Sequence, residues 1–303
     1  MTERKEEAAI NKVMRNPYAY ALFVVPALLL YITFYVAPMF SSLRYSVTSW
    51  NGINEATFNG FSNFAKAFGD EKFLVALRNN IYFVLFSVFM QIPIIVLIAI
   101  IISGVRRFLD FYKTTVFLPS ILSTAIVGIV WKFIYHPDAG LVNQILRAVG
   151  LESWTRGWLG EEHFAYLAIL ITNAWQWTGF YVVLVLAAIF AIPKEMQEAG
   201  QIDGAVGWRK VRYITVPLIR PVILVITLLS ITGAMKAMDI VYIMTAGGPF
   251  GSSEVMGTYM YKQAYSMSQF GYANAISIVI FGFTCLLTLI FHLFTRRLEE
   301  VEY

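Results

Sequence analysis

The chain has 303 residues, of which 58% are hydrophobic and 14% charged, and its mean hydropathy is +0.64. A water-soluble domain carries about 25% charged residues, so this chain lacks the charge to cover a solvent-facing surface and reads as a membrane protein. The net charge of +4 fits basic loops at a membrane face, not a nucleic-acid surface, and the single cysteine, Cys285, excludes an internal disulfide.

The N-terminus, "MTERKEEAAINKVMRNP", is too charged and too long to be a cleaved secretory signal. The apolar run after it, 20–40, has the length of about 20 residues that a membrane-crossing helix needs, and it is expected to stay as an anchor. Further runs follow at 80–103, 114–134, 164–190, 222–244 and 273–294. They are continuous, not alternating, and far exceed a barrel strand of about 10 residues, so they predict helices. Pro26, Pro93 and Pro119 lie inside spans, where neighbouring helices can satisfy the freed backbone groups. The expected fold class is an all-α integral membrane protein with six transmembrane helices. Its parts are a tail at 1–17, a first helix and outer loop at 18–75, a transmembrane domain at 76–295 and a tail at 296–303.

Arginine and lysine set the orientation. The termini and the segments that fall on their side hold 14 of these residues, against 7 in the opposite loops, so both termini are expected in the cytoplasm. The three outer loops, 41–79, 135–163 and 245–272, carry helix and turn signals and read as folded. In the second, "HPDAGLVNQILRAVGL" predicts a turn and an amphipathic helix with Leu141, Ile145 and Leu146 on one side. Capping the bundle and docking an external partner both fit such loops.

The fourth span holds "TNAWQWTGFY" near mid-bilayer. Tryptophans normally gather at the interfaces, so Trp175 and Trp177 are out of place as anchors, and Asn173, Gln176 and Thr178 need partners there. Aromatic faces beside amides suit a sugar, and the stretch ends at Tyr181. Helix packing through the polar residues and Gly179 fits equally.

Between the fourth and fifth spans lies "QEAGQIDGAVGWRKVRYITVPLIRP", rich in charge and glycine. Pro193 stops the fourth span; 194–203 suits a short helix, Gly204 breaks it, and a second short helix, 206–215, ends at Pro217. Trp208 and Val211 share a face, while Arg209, Lys210 and Arg212 turn elsewhere. Such an element suits a groove on a cytosolic partner or an anionic lipid surface. In the fifth span Lys236 and Asp239, three apart, can pair on one helical face or line a pathway.

No G-x-x-x-x-G-K-[ST] loop occurs, so the chain has no usual cradle for ATP phosphates, and no G-x-S-x-G or H-E-x-x-H points to an enzyme. Cys285, His136, His163 and His292 share no metal-ligand spacing. An ion-coupled secondary transporter is the alternative reading; it would be expected to show intramembrane acids or broken helices in matching halves, and only Asp239 offers such a group.

The loop also carries a resemblance. It is similar to the "EAA" signature, E-A-A-x3-G-x9-I-x-L-P, of permease subunits of binding-protein-dependent ABC importers. Here Glu198-Ala199-Gly200 is followed after three residues by Gly204 and after nine more by Ile214-Thr215-Val216-Pro217. Gly200 and Val216 depart from the signature. "YSVTSWNGI", "FNGFSNFAKAF", "GLVNQILRAVGL", "WQWTGFYVVLVLAAI", "MDIVYIMTAGGPFGSS" and "GYANAISIVIF" resemble the carbohydrate-uptake branch, first-permease type, over nearly the whole chain.

The resemblance implies the type I importer permease fold in the bacterial inner membrane. It implies a sugar or oligosaccharide cargo moved by alternating access. Partners would be a second homologous permease, a dimer of ATPases that bind ATP and Mg, and an extracytoplasmic solute-binding protein. No cofactor is expected on this chain. ATPase coupling is expected in the 194–217 loop, at Glu198, Ala199, Gly200, Asp203, Gly204, Trp208, Ile214 and Pro217. The substrate pathway is expected at Asn173, Trp175, Gln176, Trp177, Tyr181 and Asp239.

Overall fold

The computed structural model describes residues 17–105 and 107–296. Most of the two expected tails, and Arg106, lie outside the described residues. Four unbroken helices are long and apolar enough to cross a membrane: α1 (Ala21–Ser46), α3 (Glu71–Ser103), α7 (Glu162–Phe190) and α13 (Phe270–Thr295). Two bent pairs bring the number to six when each counts as one span. These are α4 (Leu109–Ile121) with α5 (Thr124–Ile134), bent by 97°, and α9 (Trp208–Leu218) with α10 (Arg220–Met235), bent by 67°. Short helices complete the chain: α2 (Ser62–Gly69), α6 (Leu141–Ala148), α8 (Lys194–Ile202), α11 (Asp239–Thr245) and α12 (Met256–Tyr261).

Three expectations are corrected here. The run 114–134 is not one rod: Leu122 and Ser123 are extended, and Ser123 starts a new helix by accepting from the Ile126 amide at 3.3 Å. The run 222–244 is also divided. Helix α10 stops at Met235 and α11 begins at Asp239, so Lys236 and Asp239 do not share a helical face. Pro217 does not end the second short helix, which continues to Leu218.

Proline explains another local feature. Three wide π-type turns interrupt otherwise regular helices, at Ile32–Val36, Ser87–Gln91 and Val211–Thr215. Each is followed two residues later by a proline: Pro38, Pro93 and Pro217. A proline ring clashes with the carbonyl four residues earlier and brings no N–H. Widening the turn moves that carbonyl aside, so the helix continues past Pro38 and Pro93, while past Pro217 it runs only to Leu218.

Helix α7 is the axis of the bundle and packs against α3, α4, α5, α10 and α11. Its closest neighbour is α4. A Cβ on Gly179 would lie 1.7 Å from the Val116 carbonyl oxygen, so the two backbones touch at a point where only glycine fits. Three apolar clusters hold the elements together. One centres on Phe73, Phe83, Met235 and Ile276, a second on Ile95, Val182, Leu186 and Ile226, and a third on Val127, Ile169, Ile240 and Val241.

The loops opposite α8 and α9 are folded, as expected. Strands β1 (Thr48–Ser49) and β2 (Thr57–Phe58) pair antiparallel, and α2 follows. Asn63 Nδ2 donates to the carbonyls of Ser46 and Thr48, at 2.8 and 2.9 Å. Asp70 caps α3, accepting from the Lys72 amide at 3.0 Å and from the hydroxyls of Tyr259 and Tyr272, so it clasps α3 to α12 and α13. Helix α6 is tied down through buried Asn143, whose Nδ2 reaches the carbonyls of Pro137 and Arg156, both at 2.8 Å. Its Leu141 and Ile145 are left exposed.

Candidate functional site

Asn173, Trp177 and Tyr181 recur every fourth residue along α7, which places them on one face of a helix with 3.6 residues per turn. That face looks into a cavity of about 220 Å³. The opposite walls come from Ser87 and Gln91 in the wide turn of α3, Thr124 at the start of α5, Ser230 on α10, Lys236 to Met238 between α10 and α11, and Asp239 at the start of α11. Tyr181, Ala234 and Ile240 each belong to a different apolar cluster, so the cavity lies where the three meet.

The cavity is bordered by both interrupted helices, and each interruption is held by an amide side chain. A helix end leaves backbone carbonyls without partners, and these are costly away from water. Buried Asn80 from α3 donates through Nδ2 to the Ala234 carbonyl at 3.0 Å, and its Oδ1 accepts from the Met256 amide at 2.8 Å. Gln176 from α7 donates to the Leu122 carbonyl at 3.1 Å and to Thr124 Oγ1 at 3.3 Å. Polar residues in spans two and four thus let spans five and three stop inside the protein. Non-helical backbone at this depth belongs where it lines a cavity.

Of the six pathway residues named from the sequence, four are brought together: Asn173, Trp177, Tyr181 and Asp239. Two are not. Gln176 is fully buried and spent on the α4–α5 break. Trp175 points to the other side of α7, where its ring meets that of Trp131 edge-on at 5.4 Å beside an apolar groove. The reason is helical phase: one residue turns a side chain by about 100°. Ser87, Gln91, Thr124 and Ser230 were missed. A hydroxyl or amide inside an otherwise apolar span was the available signal for Ser87, Gln91 and Ser230. Only the fold brings those positions to one place.

Lys236 and Asp239 are the only charged residues on the cavity wall, and both are exposed. Among the described residues the ion pairs are Lys113–Asp110 and Lys262–Glu254, so Lys236 and Asp239 do not pair.

The second candidate element is the elbow of α8 and α9. Helix α8 ends in a Schellman turn: the Ala205 amide donates to the Gly200 carbonyl at 2.8 Å and the Gly204 amide to the Gln201 carbonyl at 3.1 Å. Gly204 sits at φ +78°, which a residue with a Cβ adopts only under strain. Asp203 caps α8. Ile214 packs over Gly200, where an added Cβ would be 2.0 Å from Ile214 Cδ1, so an alanine there would require the isoleucine to shift. Lys210 Nζ donates to Gln197 Oε1 at 2.8 Å and holds the two helices together.

Glu198, Ala199, Trp208 and Pro217 are exposed, and so are the large apolar side chains of Ile202, Val206 and Tyr213. Trp208 is 68% and Ile202 87% accessible. Exposed large apolar side chains gathered on one short elbow among charged residues are a feature of interaction sites.

Residues 72–300 match the family described as the inner membrane component of binding-protein-dependent transport systems, and the chain belongs to that family. It is 35% identical to the probable ABC transporter permease protein YurN of Bacillus subtilis (strain 168), over 92% of this chain and 95% of that one. It is 32% identical to the lactose transport system permease protein LacF of Rhizobium radiobacter, over 83% and 85%. With the diacetylchitobiose uptake system permease protein NgcF of Streptomyces coelicolor it shares 33% identity, over 93% and 83%. Among solved structures, a chain of a bacterial ABC transporter involved in import of the acidic polysaccharide alginate matches with TM-score 0.83 and 23% identity. That match covers 97% of this chain and all of the other. A second, from the same kind of transporter in complex with a periplasmic protein bound to alginate pentasaccharide, has TM-score 0.84 and 23% identity, over 97% and 99%. The fold is that of a type I ABC importer permease.

Proposed function

We propose that this chain conducts a sugar or oligosaccharide across the bacterial inner membrane as one permease of an ABC importer. The observation that carries the reading is the cavity. It sits at two helix interruptions, is lined by Trp177 and Tyr181 beside Asn173, Gln91 and Asp239, and lies on the helix that leads directly to the α8–α9 elbow. Relatives named for lactose, diacetylchitobiose and arabinooligosaccharides support a saccharide cargo.

In this reading the elbow seats in a cleft of a separate ATPase subunit, which binds ATP and Mg. Ile202, Val206 and Trp208 supply apolar contact, and Glu198 faces the same partner. A second, homologous permease completes the pathway, and an external binding protein delivers the cargo on the side opposite the elbow. Both chain ends lie with the elbow in the cytoplasm, as the arginine and lysine distribution predicts. ATPase closure moves α8 and α9, α7 carries the displacement to the cavity, and the cavity alternates between the two sides. Nucleotide and loaded binding protein each bias one arrangement.

The test is co-expression of this chain with its neighbouring permease, ATPase and binding-protein genes, followed by ATP hydrolysis in the purified complex. Stimulation by binding protein loaded with one sugar establishes the importer and names its cargo. A chain that recruits no ATPase overturns the reading.

A further inference from the structure

Lys236, in the non-helical link after α10, and Asp239, at the start of α11, face the cavity and are its only charged residues. Among the described residues neither side chain makes an ion pair or a hydrogen bond, whereas the hydroxyl and amide groups around them include several that do. Both are exposed at the cavity, so the ammonium and the carboxylate are open to a polar ligand. The break in the helix takes the two residues off the common face they would share on a continuous helix.

Resting on the proposal that this cavity holds the transported saccharide, we infer that Lys236 and Asp239 select for uncharged saccharides, including N-acetylated ones, by each binding hydroxyl or amide groups of the cargo. A hydroxyl can donate to the Asp239 carboxylate and accept from the Lys236 ammonium, so a neutral polyol satisfies both at once. An anionic sugar gains from Lys236 but is opposed by Asp239, and a cationic amino sugar meets the reverse. Trp177 and Tyr181 provide faces for the sugar C–H groups regardless of charge. The two charged residues therefore set cargo charge, and the aromatic residues set cargo shape.

The test is equilibrium binding of radiolabelled probes to the assembled permease–ATPase complex in nanodiscs, without the external protein, so that the selectivity is the cavity's own. The probes are cellobiose and N,N′-diacetylchitobiose as neutral sugars, digalacturonate as the anion and chitosan disaccharide as the cation. Wild type is expected to bind a neutral probe tightest. Asp239→Asn is expected to tip the ratio of digalacturonate to neutral affinity by about tenfold, and Lys236→Gln to tip the ratio for the cation by a similar factor. Lys236→Arg and Asp239→Glu, which keep each charge, are expected to preserve the wild-type order.

A wild type that binds a charged probe tightest, or none of the four, overturns the inference. So do variants that weaken all probes by one common factor, since that is the signature of a structural role. If loaded binding protein still stimulates ATP hydrolysis by wild type, only the charge assignment falls. If no sugar does so, the importer reading falls with it.

Discussion

Gln176 and Trp177 are neighbours on α7 with different tasks. Gln176 holds the α4–α5 interruption, and replacing it with leucine leaves the Leu122 carbonyl without a partner. The expected cost is about 1–3 kcal/mol, read as earlier thermal unfolding of the detergent-solubilised protein. Trp177→Ala removes an aromatic face from the cavity instead, and is expected to raise the half-saturating sugar concentration about tenfold while assembly persists. Assembly lost in the tryptophan variant would move Trp177 to the packing residues.

Asp70 supplies a pH dependence on the far side of the bundle. Burial pushes its carboxyl up, but hydrogen bonds from Tyr259, Lys72, Tyr272 and Phe73 outweigh this and leave it below the ordinary carboxylate value. A carboxyl lowered in the folded state stabilises fully above its unfolded value of about 3.9, and that contribution is lost as pH falls through the lower folded value. The stability gap between wild type and Asp70→Asn is therefore expected to be widest near neutral pH and to close under acid, in thermal melts across that range. A gap independent of pH would remove Asp70 as the cause.

At the scale of elements, the elbow is built to be rigid inside and adhesive outside. The Schellman turn at Gly204, Ile214 over Gly200, and Lys210 on Gln197 hold α8 against α9. Glu198 contributes to none of these contacts and lies exposed. Glu198→Lys is accordingly expected to leave the six spans intact and to cut binding-protein-stimulated ATP hydrolysis by about tenfold, because in the proposed assembly a reversed charge would face the ATPase. Wild-type stimulation in that variant would dismiss the coupling role of this residue. The same scale explains where the spans bend. Where a proline follows a wide turn inside a span, as at Pro38 and Pro93, the helix runs on, whereas the helix with Pro217 ends at Leu218. Where an amide side chain from a neighbour can take the freed carbonyls, as Asn80 and Gln176 do, the helix stops.

At the scale of the molecule, α1 stands apart: none of its most apolar stretch is buried, although its final turns pack against α13. A helix apolar all round and unburied requires a surrounding of lipid or another membrane helix. The proposed orientation gives a direct test. In a Cys285→Ser background, Glu198→Cys is expected to react with a membrane-impermeant thiol reagent only from the inner side of sealed vesicles. Glu152→Cys, in the loop beyond α6, is expected to react only from the outer side. The reverse pattern would invert the topology.

The number of spans, the folded loops and the elbow were legible along the chain, because each is a local property. Hydropathy over about 20 residues, a Pro or Gly at a helix end, and the E-A-x4-G spacing need no knowledge of neighbours. Half-visible was the cavity: the recurrence of Asn173, Trp177 and Tyr181 is local, whereas the phase that excludes Trp175 and Gln176 emerges only when α7 is packed. Left to the tertiary structure were the breaks at Leu122–Ser123 and Lys236–Met238. A run of apolar residues favours one continuous helix, and it stops inside the protein only where a distant side chain, Asn80 or Gln176, takes over the abandoned carbonyls. Membrane class and the apolar runs that form the spans thus follow from the sequence alone. The placement of two unpaired charges around one cavity depends on which helices meet, and that was decided by packing.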